Sequence, residues 1–238
     1  MVDIYNLSIG DDMKNNMKGM LQLALSILIF ILFHFFYWKV LALFGFYPEG
    51  MIYEIMNFIK YTLISIIVFV IYYGNIKHGQ SRFNKTLVNN IIYSVACFVF
   101  LIIITILLHE AINYIATTKI GYNFTNYFNQ KFTLSFALNL IIECIFIPFL
   151  LCVVFPLGFS NIFKRSGTAS ILSGLTYGVI VAISYNASFE YALYHALTPA
   201  VVVMLLTYLY KTNQNIWSVI ITYIMYVLIG VFAINYIL

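Results

Sequence analysis

The chain has 238 residues, of which 63% are hydrophobic and 8% are charged, and its formal net charge is +4 at pH 7. Soluble domains average about 45–50% apolar and about 25% charged residues, so this composition excludes a soluble globular protein, a disordered chain, a collagen and a disulfide scaffold. It predicts an all-α, polytopic membrane protein with at most about six to eight spans and short loops. We expect a single integral membrane domain over residues 1–238.

Seven apolar segments separated by polar breaks predict about seven transmembrane helices, because lipid offers no partner for unpaired backbone groups. They cover residues 20–44, 52–73, 87–108, 132–158, 168–185, 189–209 and 216–237. The first segment is expected to be a retained span and not a secretory signal, since it is long and lacks a small-residue cleavage site. Cys97, Cys144 and Cys152 all lie in apolar stretches and are expected to be small buried hydrophobic side chains.

The basic residues predict the orientation of the bundle. One side would hold Lys14, Lys18, Lys77, Arg82, Lys85, Lys164, Arg165 and Lys211, and the other Lys119 and Lys131, with Lys39 if the first span ends there. By the positive-inside bias, the N-terminus is expected in the cytoplasm and the C-terminus outside the cell membrane. Because the basic residues form no run, we expect anionic lipid and no nucleic acid as their partner.

Glu143 is the strongest candidate for a catalytic residue. It lies about eleven residues into the fourth predicted span, which corresponds to roughly 16 Å and a position close to the membrane midplane. A carboxylate at this depth is costly unless it is neutral, paired or hydrated. The alternative interpretation is a protonated glutamate that bonds across the bundle or to Asn139 one turn earlier.

His109 and Glu110 end the third predicted span and are further catalytic candidates. A His-Glu pair followed by a second histidine one turn later would be a zinc-protease signature, but Asn113 stands at that position. A zinc site would therefore need other ligands. The presence of a metal stays open, and no other cofactor is predicted. The alternative is a simple interfacial His-Glu pair.

The sixth predicted span begins with Glu190 and His195, five residues apart and so on different helix faces. Glu190 has an alternative explanation as a charge that favours a helix N-terminus. His195 lies deeper and is a catalytic candidate, whereas His34 in the first span is expected to be a satisfied core histidine.

Prolines in the fourth and sixth spans predict kinks, since each proline removes a backbone donor. Pro148, Pro156 and Pro199 would widen a cavity beside Glu143 and His195. With the predicted orientation, Glu143 lies near the middle of the membrane, and the residues above it in the outer half are His34, His109, Glu110, Glu190 and His195. They indicate an outward-facing polar cavity that either performs general acid–base chemistry or binds a polar head group or a peptide.

Residues of about 135–230 resemble the CPBP family, the CAAX-protease and bacteriocin-processing (Abi-type) intramembrane peptidases. That family carries Glu-Glu-x-x-x-Arg, Phe-x-x-x-His and His-x-x-x-Asn/Asp motifs on successive helices, and its glutamates and histidines are thought to activate water against a peptide bond. The resemblance lies in Glu143 with Phe146 three residues on, in a basic turn at Lys164-Arg165, and in residues 208–217, which resemble the tight turn before the family's final helix.

Other motif positions depart from the family. The positions of the first glutamate, the arginine, the second-motif histidine, and the third-motif histidine and Asn/Asp hold Ile142, Ile147, Val181, Tyr223 and Val227. Only Glu143 matches a catalytic-type residue, so the departures argue against the family's standard proteolysis.

The resemblance implies maturation of lipidated or secreted polypeptides, by peptide hydrolysis or by acyl transfer to a lipoprotein N-terminus. Membrane lipid, a polypeptide substrate and a second protein would then be the partners. Two alternatives stay open. The first is a catalytically inactive scaffold that stabilises a partner enzyme. The second is a small-molecule transporter, against which the lack of two related halves counts.

Overall fold

The computed structural model describes residues 2–115, 133–184 and 189–229, and these residues are helical apart from short turns, with no strand. The α-helices are α1 (Val2–Ile31), α2 (Tyr37–Leu43), α3 (Gly50–Lys85), α4 (Leu87–Ile115), α5 (Leu134–Ile141), α6 (Ile147–Cys152), α7 (Gly158–Ile162), α8 (Ser166–Ser184), α9 (Phe189–Asn213) and α10 (Ile216–Ile229). The π-helical segments are π1 (Leu32–Phe36), π2 (Ile142–Phe146) and π3 (Val153–Leu157).

The predicted all-α bundle of membrane helices is confirmed. Within the described residues, five helical stretches are long and apolar enough to cross a membrane: Met17–His34, Gly50–Gln80, Leu87–Ile115, Leu134–Ile162 and Ser166–Ile183. The sixth and seventh predicted segments coincide with α9 and α10. Residues 230–237 of the last predicted segment lie outside the described residues.

The core of the bundle is the continuous helical stretch from α5 to α7. Every residue from Leu150 to Ser160 is buried, and a helix that is apolar all round belongs in the interior of a bundle. The Phe155 ring contacts Phe30 of α1 edge-on, with the ring centroids 5.8 Å apart, and Tyr177 of α8 at 4.9 Å. This stretch therefore positions the helices around it.

Helices α1 and α3 pack antiparallel against each other. The Ser26 hydroxyl of α1 lies 3.2 Å from the Tyr72 hydroxyl of α3. Further along, His34 of π1 lies beside Tyr61, with Nδ1 2.8 Å from the tyrosine hydroxyl. The residue numbers of these contacts rise from Ser26 to His34 while they fall from Tyr72 to Tyr61, so the two helical stretches are antiparallel. Two polar hydrogen bonds join them at different heights in the bundle.

The two ends of the bundle carry different numbers of basic side chains. We call them the Gly50 end, where α2 ends and α3 begins, and the Ile162 end, where α7 ends. The described basic side chains toward the Ile162 end are Lys18, Lys77, Lys164, Arg165 and Lys211, and those toward the Gly50 end are Lys39 and Lys60.

Helices α8 and α9 approach each other closely through small residues. A Cβ atom added at Gly178 would lie 2.9 Å from Ala200 Cβ and 3.2 Å from the Ala196 carbonyl oxygen. Close to this contact, the Ser173 and Thr207 hydroxyls lie 2.7 Å apart. Close backbone approach and interhelical hydrogen bonds are the usual sources of helix association in a membrane.

Buried hydroxyl groups join α4 to α10. The Ser94 hydroxyl donates to the Ser218 carbonyl oxygen at 3.1 Å, and the Thr105 and Tyr226 hydroxyls lie 2.9 Å apart. Both contacts advance in the same direction along the two helices, so α4 and α10 are parallel.

The close approach of α8 and α9 predicts that Gly174→Ala destabilises the protein. The added Cβ would lie 2.5 Å from the Ala200 carbonyl oxygen and would also contact Met204. Backbone cannot yield easily, so we expect a loss of about 1–3 kcal/mol in unfolding free energy, measured in detergent micelles. The matched control is Gly167→Ala in the same helix, where a Cβ meets nothing within 4 Å. Equal stability of the two variants would contradict this packing.

Candidate functional site

Four ionisable or hydroxyl side chains lie together between π1, α3 and π2. They are His34 of π1, Lys60 and Tyr61 of α3, and Glu143 of π2, and we call them the polar cluster. The Tyr61 hydroxyl and His34 Nδ1 share a hydrogen bond of 2.8 Å. The Lys60 ammonium lies 4.2 Å from the Tyr61 ring centroid, and the π2 segment that carries Glu143 packs on α3, with the ring centroids of Phe146 and Phe58 5.5 Å apart. The cluster therefore joins an acid, a base and a cation.

The polar cluster lies deep within the apolar part of the bundle. Tyr61 is eleven residues beyond Gly50 and Glu143 is nine residues beyond Leu134, which corresponds to about 16 Å and about 14 Å along the two helices. A hydrocarbon core is about 30 Å thick, so a span that begins at either helix start would carry these groups near its middle. The depth of Glu143 in the membrane stays a prediction.

Two of the three described π-helical segments carry members of the polar cluster. His34 lies in π1 and Glu143 in π2. Pro148 follows π2 closely, and its ring would clash with the Cys144 carbonyl in a regular α-helix. The wider turn of π2 accommodates it. Single π-helical turns inside α-helices are frequent at functional sites, where they turn a side chain away from the regular helical direction.

The other prolines behave differently from each other. Pro156 lies inside π3, where the π-helical turn again accommodates the ring. Pro199 lies inside α9, whose helix continues on both sides of it. Two of the three predicted kinks are therefore π-helical turns in the central stretch.

Lys60 lies in a cage of aromatic rings. Its residue surface is only 3% exposed. The ammonium nitrogen lies 4.2 Å from the Tyr61 ring centroid, 5.5 Å from that of Trp38 and 5.8 Å from that of Tyr37. Each such cation–π contact contributes about 0.5–2 kcal/mol, and the larger values apply to desolvated sites. The rings therefore compensate part of the cost of a cation in the apolar interior.

Aromatic rings connect the polar cluster to α8. The His34 ring stacks on Phe30 with the centroids 5.1 Å apart, and the Phe30 ring lies 6.5 Å from that of Tyr177. In α10 the Tyr223 ring stacks on Tyr226 with the ring centroids 5.9 Å apart. Tyr177 and Tyr223 begin the segments that correspond to the second and third motifs in the resemblance to the CPBP family.

His109 and Glu110 lie near the end of α4. His109 Nδ1 lies 3.3 Å from Glu110 Oε1, and the Asn113 amide nitrogen lies 3.2 Å from His109 Nε2. The His109 ring is buried, whereas the Glu110 side chain is 65% exposed. The structure thus forms the His-Glu pair that the sequence suggested, and Asn113 lies against it where a zinc protease would place a ligand.

His195 is buried in α9, and the Glu190 side chain lies outside the described side chains. Among the side chains that the structure describes, no three His, Cys, Asp or Glu residues lie close enough together to hold a metal ion. Catalytic roles for His109, Glu110 and His195 stay predictions. The imidazole in the polar cluster is that of His34, which is hydrogen-bonded to Tyr61.

Sequence reasoning missed Lys60 and Tyr61 as site residues, and it assigned His34 to the core. His34 is indeed packed in the core, stacked on Phe30 with the centroids 5.1 Å apart. Lys60 could have been identified as a site residue from the sequence, because it is the lysine inside the second apolar segment, and a cation within a span is a functional candidate. Tyr61 could not have been identified in this way, since tyrosine is common throughout this chain.

Comparisons with protein-family models, with curated proteins and with solved structures gave no match to this chain. The resemblance to the CPBP family therefore stays a prediction.

A double-mutant cycle tests the hydrogen bond in the polar cluster. We expect His34→Leu and Tyr61→Phe to be coupled by about 0.6 kcal/mol, and at most about 1.7 kcal/mol, as for other hydrogen bonds between membrane helices. The measurement is the unfolding free energy in mixed micelles of lipid and detergent. The Ser26→Ala and Tyr72→Phe pair supplies a control cycle between the same two helices. Coupling in the control alone would contradict the cluster.

Proposed function

We propose that the protein matures lipidated or secreted polypeptides at the polar cluster, by peptide hydrolysis or by acyl transfer to a lipoprotein N-terminus. The observation that carries the proposal is the hydrogen-bonded His34–Tyr61 pair, with the Lys60 ammonium over the tyrosine ring, beside the segment that carries Glu143. Ionisable groups within the apolar part of a membrane bundle are costly, and they mark functional sites in membrane proteins.

Both reactions require the protein to accept a proton and to stabilise an oxyanion. A nucleophile, either water or an amine, must lose a proton as it attacks a carbonyl carbon, and the carbonyl oxygen must be stabilised as it becomes negative. In the proposed mechanism Glu143 takes the proton and later returns it to the leaving group. The Tyr61 hydroxyl, oriented by His34, donates a hydrogen bond to the oxygen.

Lys60 supports the same step electrostatically. Its ammonium lies against the face of the Tyr61 ring, and a positive charge in an apolar site favours an oxyanion nearby. In the resemblance to the CPBP family, Tyr223 stands in the place of the third-motif histidine, whereas Tyr177 begins the second motif and Val181 stands in the place of its histidine.

The orientation is part of the proposal. The described basic side chains concentrate toward the Ile162 end, which by the positive-inside bias is the cytoplasmic end. The N-terminus would then be cytoplasmic and the C-terminus extracytoplasmic. The polar cluster belongs to the half of the bundle nearer the Gly50 end, so its substrate would come from the outer leaflet.

Conservative changes in the polar cluster test the reaction. We expect Glu143→Gln to lower maturation at least about 100-fold and Tyr61→Phe about 100-fold, because they remove the base and the oxyanion donor. The measurement is mass spectrometry of lipoprotein N-termini in native host cells that lack the chain or carry one variant. The matched control is Tyr72→Phe, which removes another buried hydroxyl of α3 bonded to the same helix.

The results distinguish the proposed reaction from a scaffold. Normal maturation by Glu143→Gln at an unchanged protein level would overturn the acid–base role. N-termini that are identical with and without the chain would overturn the proposed function. Equal losses in Tyr61→Phe and Tyr72→Phe, in parallel with lower protein levels, would indicate that the hydroxyls act through folding alone.

Cysteine accessibility tests the orientation. Tyr47 at the Gly50 end is 72% exposed, and Lys164 at the Ile162 end is exposed. We expect Tyr47→Cys to react with a membrane-impermeant maleimide in intact cells, and Lys164→Cys to react only after the cells are opened. The background is a chain whose three cysteines are replaced by alanine. The reverse pattern would place the polar cluster toward the cytoplasm.

A further inference from the structure

Lys60 has neighbours that the proposed reaction does not use. Glu54, Asn57 and Lys60 follow one another at three-residue spacing, so they line one side of α3 from its start toward the polar cluster. Glu54 Oε2 and Asn57 Oδ1 are both buried and accept no hydrogen bond within the described part of the chain. A buried acceptor left unpaired costs about 1–3 kcal/mol, so a donor is expected at each of them.

The Lys60 ammonium is a donor that lacks a hydrogen-bond acceptor among the described residues. Its contacts with the described residues are the three aromatic rings, and it forms no hydrogen bond or ion pair with any of them. An ammonium group has three N–H donors. This side of α3 therefore carries a cationic donor without an acceptor at Lys60. Toward the start of the helix it carries two acceptors without a donor, the Glu54 carboxylate and the Asn57 amide oxygen.

The aromatic residues place the start of this side of α3 at the level of lipid head groups. Trp38 and Tyr53 stack with their ring centroids 4.5 Å apart, and Trp and Tyr side chains concentrate at the membrane interface. Helical side chains lean toward the N-terminus of their helix, and a long lysine side chain extends its charge toward the interface. The Lys60 ammonium lies beside the Trp38 ring, so it extends from the polar cluster toward this end of α3.

We infer that Lys60, Asn57 and Glu54 bind the head group of an aminophospholipid, with the phosphate on Lys60 and the lipid ammonium on Glu54 and Asn57. A zwitterion of this kind supplies both missing partners in the observed order, with its amine toward the membrane surface and its phosphate deeper. The exposed apolar side chains around the start of α3, Met51, Ile52 and Ile55, suit the acyl chains. The inference rests on the proposed function in that it names the lipid that lies against the polar cluster.

The experiment measures lipid binding to the full chain by native mass spectrometry. The probes are phosphatidylethanolamine, phosphatidylglycerol and phosphatidylcholine with identical acyl chains, and soluble phosphoethanolamine and inorganic phosphate as competitors. We expect the wild type to prefer phosphatidylethanolamine over phosphatidylglycerol about tenfold, the effect of one charge-assisted hydrogen bond. Lys60→Met should weaken binding of all three lipids about tenfold for the same reason.

Two further variants separate the parts of the site. Glu54→Gln should remove the preference for phosphatidylethanolamine and leave phosphatidylglycerol binding unchanged. Lys77→Met is the matched control and should bind like the wild type. Lys77 lies on the same helix and also over an aromatic ring, that of Tyr73, at 5.9 Å, but it is exposed and toward the Ile162 end.

Three results would overturn the inference. They are a wild type without preference among the lipids, Lys60→Met binding equal to that of Lys77→Met, and displacement of the lipid by inorganic phosphate as readily as by phosphoethanolamine. The first needs no variant and so holds even if Lys60→Met fails to fold. Normal lipid preference together with unchanged lipoprotein N-termini in Glu143→Gln cells would instead contradict the proposed function alone.

Discussion

Every polar group in the hydrocarbon core needs a partner inside the protein, and this requirement organises the bundle. Backbone groups find partners within the helices. Side chains find theirs in bonds that join particular helices, as Ser26 does with Tyr72 and His34 with Tyr61. The hydroxyl contacts of Ser94 with α10 belong to the same set. The arrangement of the helices is therefore fixed by polar bonds as well as by apolar packing.

The polar cluster differs from the other polar contacts in the number of charges it contains. The bonds between α4 and α10 and between α8 and α9 use neutral hydroxyls, which is enough to associate helices in a membrane. Lys60 and Glu143 add two ionisable groups, and an aromatic cage surrounds the cation. Two ionisable groups and a cage within the apolar part of the bundle exceed what helix association needs, and this excess is the physical basis of the proposed chemistry.

The fold was largely predictable from the sequence, and the candidate site was predictable only in part. Apolar length marks a membrane helix directly, so all seven predicted segments coincide with helices in the described residues. The place of Glu143 within an apolar helix followed from its segment. Its neighbours did not, because α3 and the central stretch are far apart in the chain and the contact between them is decided by three-dimensional packing. The sequence pointed to His109 and His195, whereas the structure places the bonded His34–Tyr61 pair on the side of the bundle where α3 packs on the segment of Glu143.

The π-helical segments have a consequence for how this chain tolerates insertions and deletions. A π-helical turn holds one more residue than an α-helical turn, so deleting a single residue from π2 would remove the wide turn and leave the helix on either side facing nearly as before. The same deletion in an α-helical part of the central stretch would turn all residues beyond it by about 100°. Because Leu150–Ser160 is buried on every side, that rotation would change the fit of the central stretch to all of its neighbours. A deletion in π2 should therefore disturb mainly Glu143 and Pro148, whose ring would then meet the Cys144 carbonyl, and should preserve the packing of the helices beyond it.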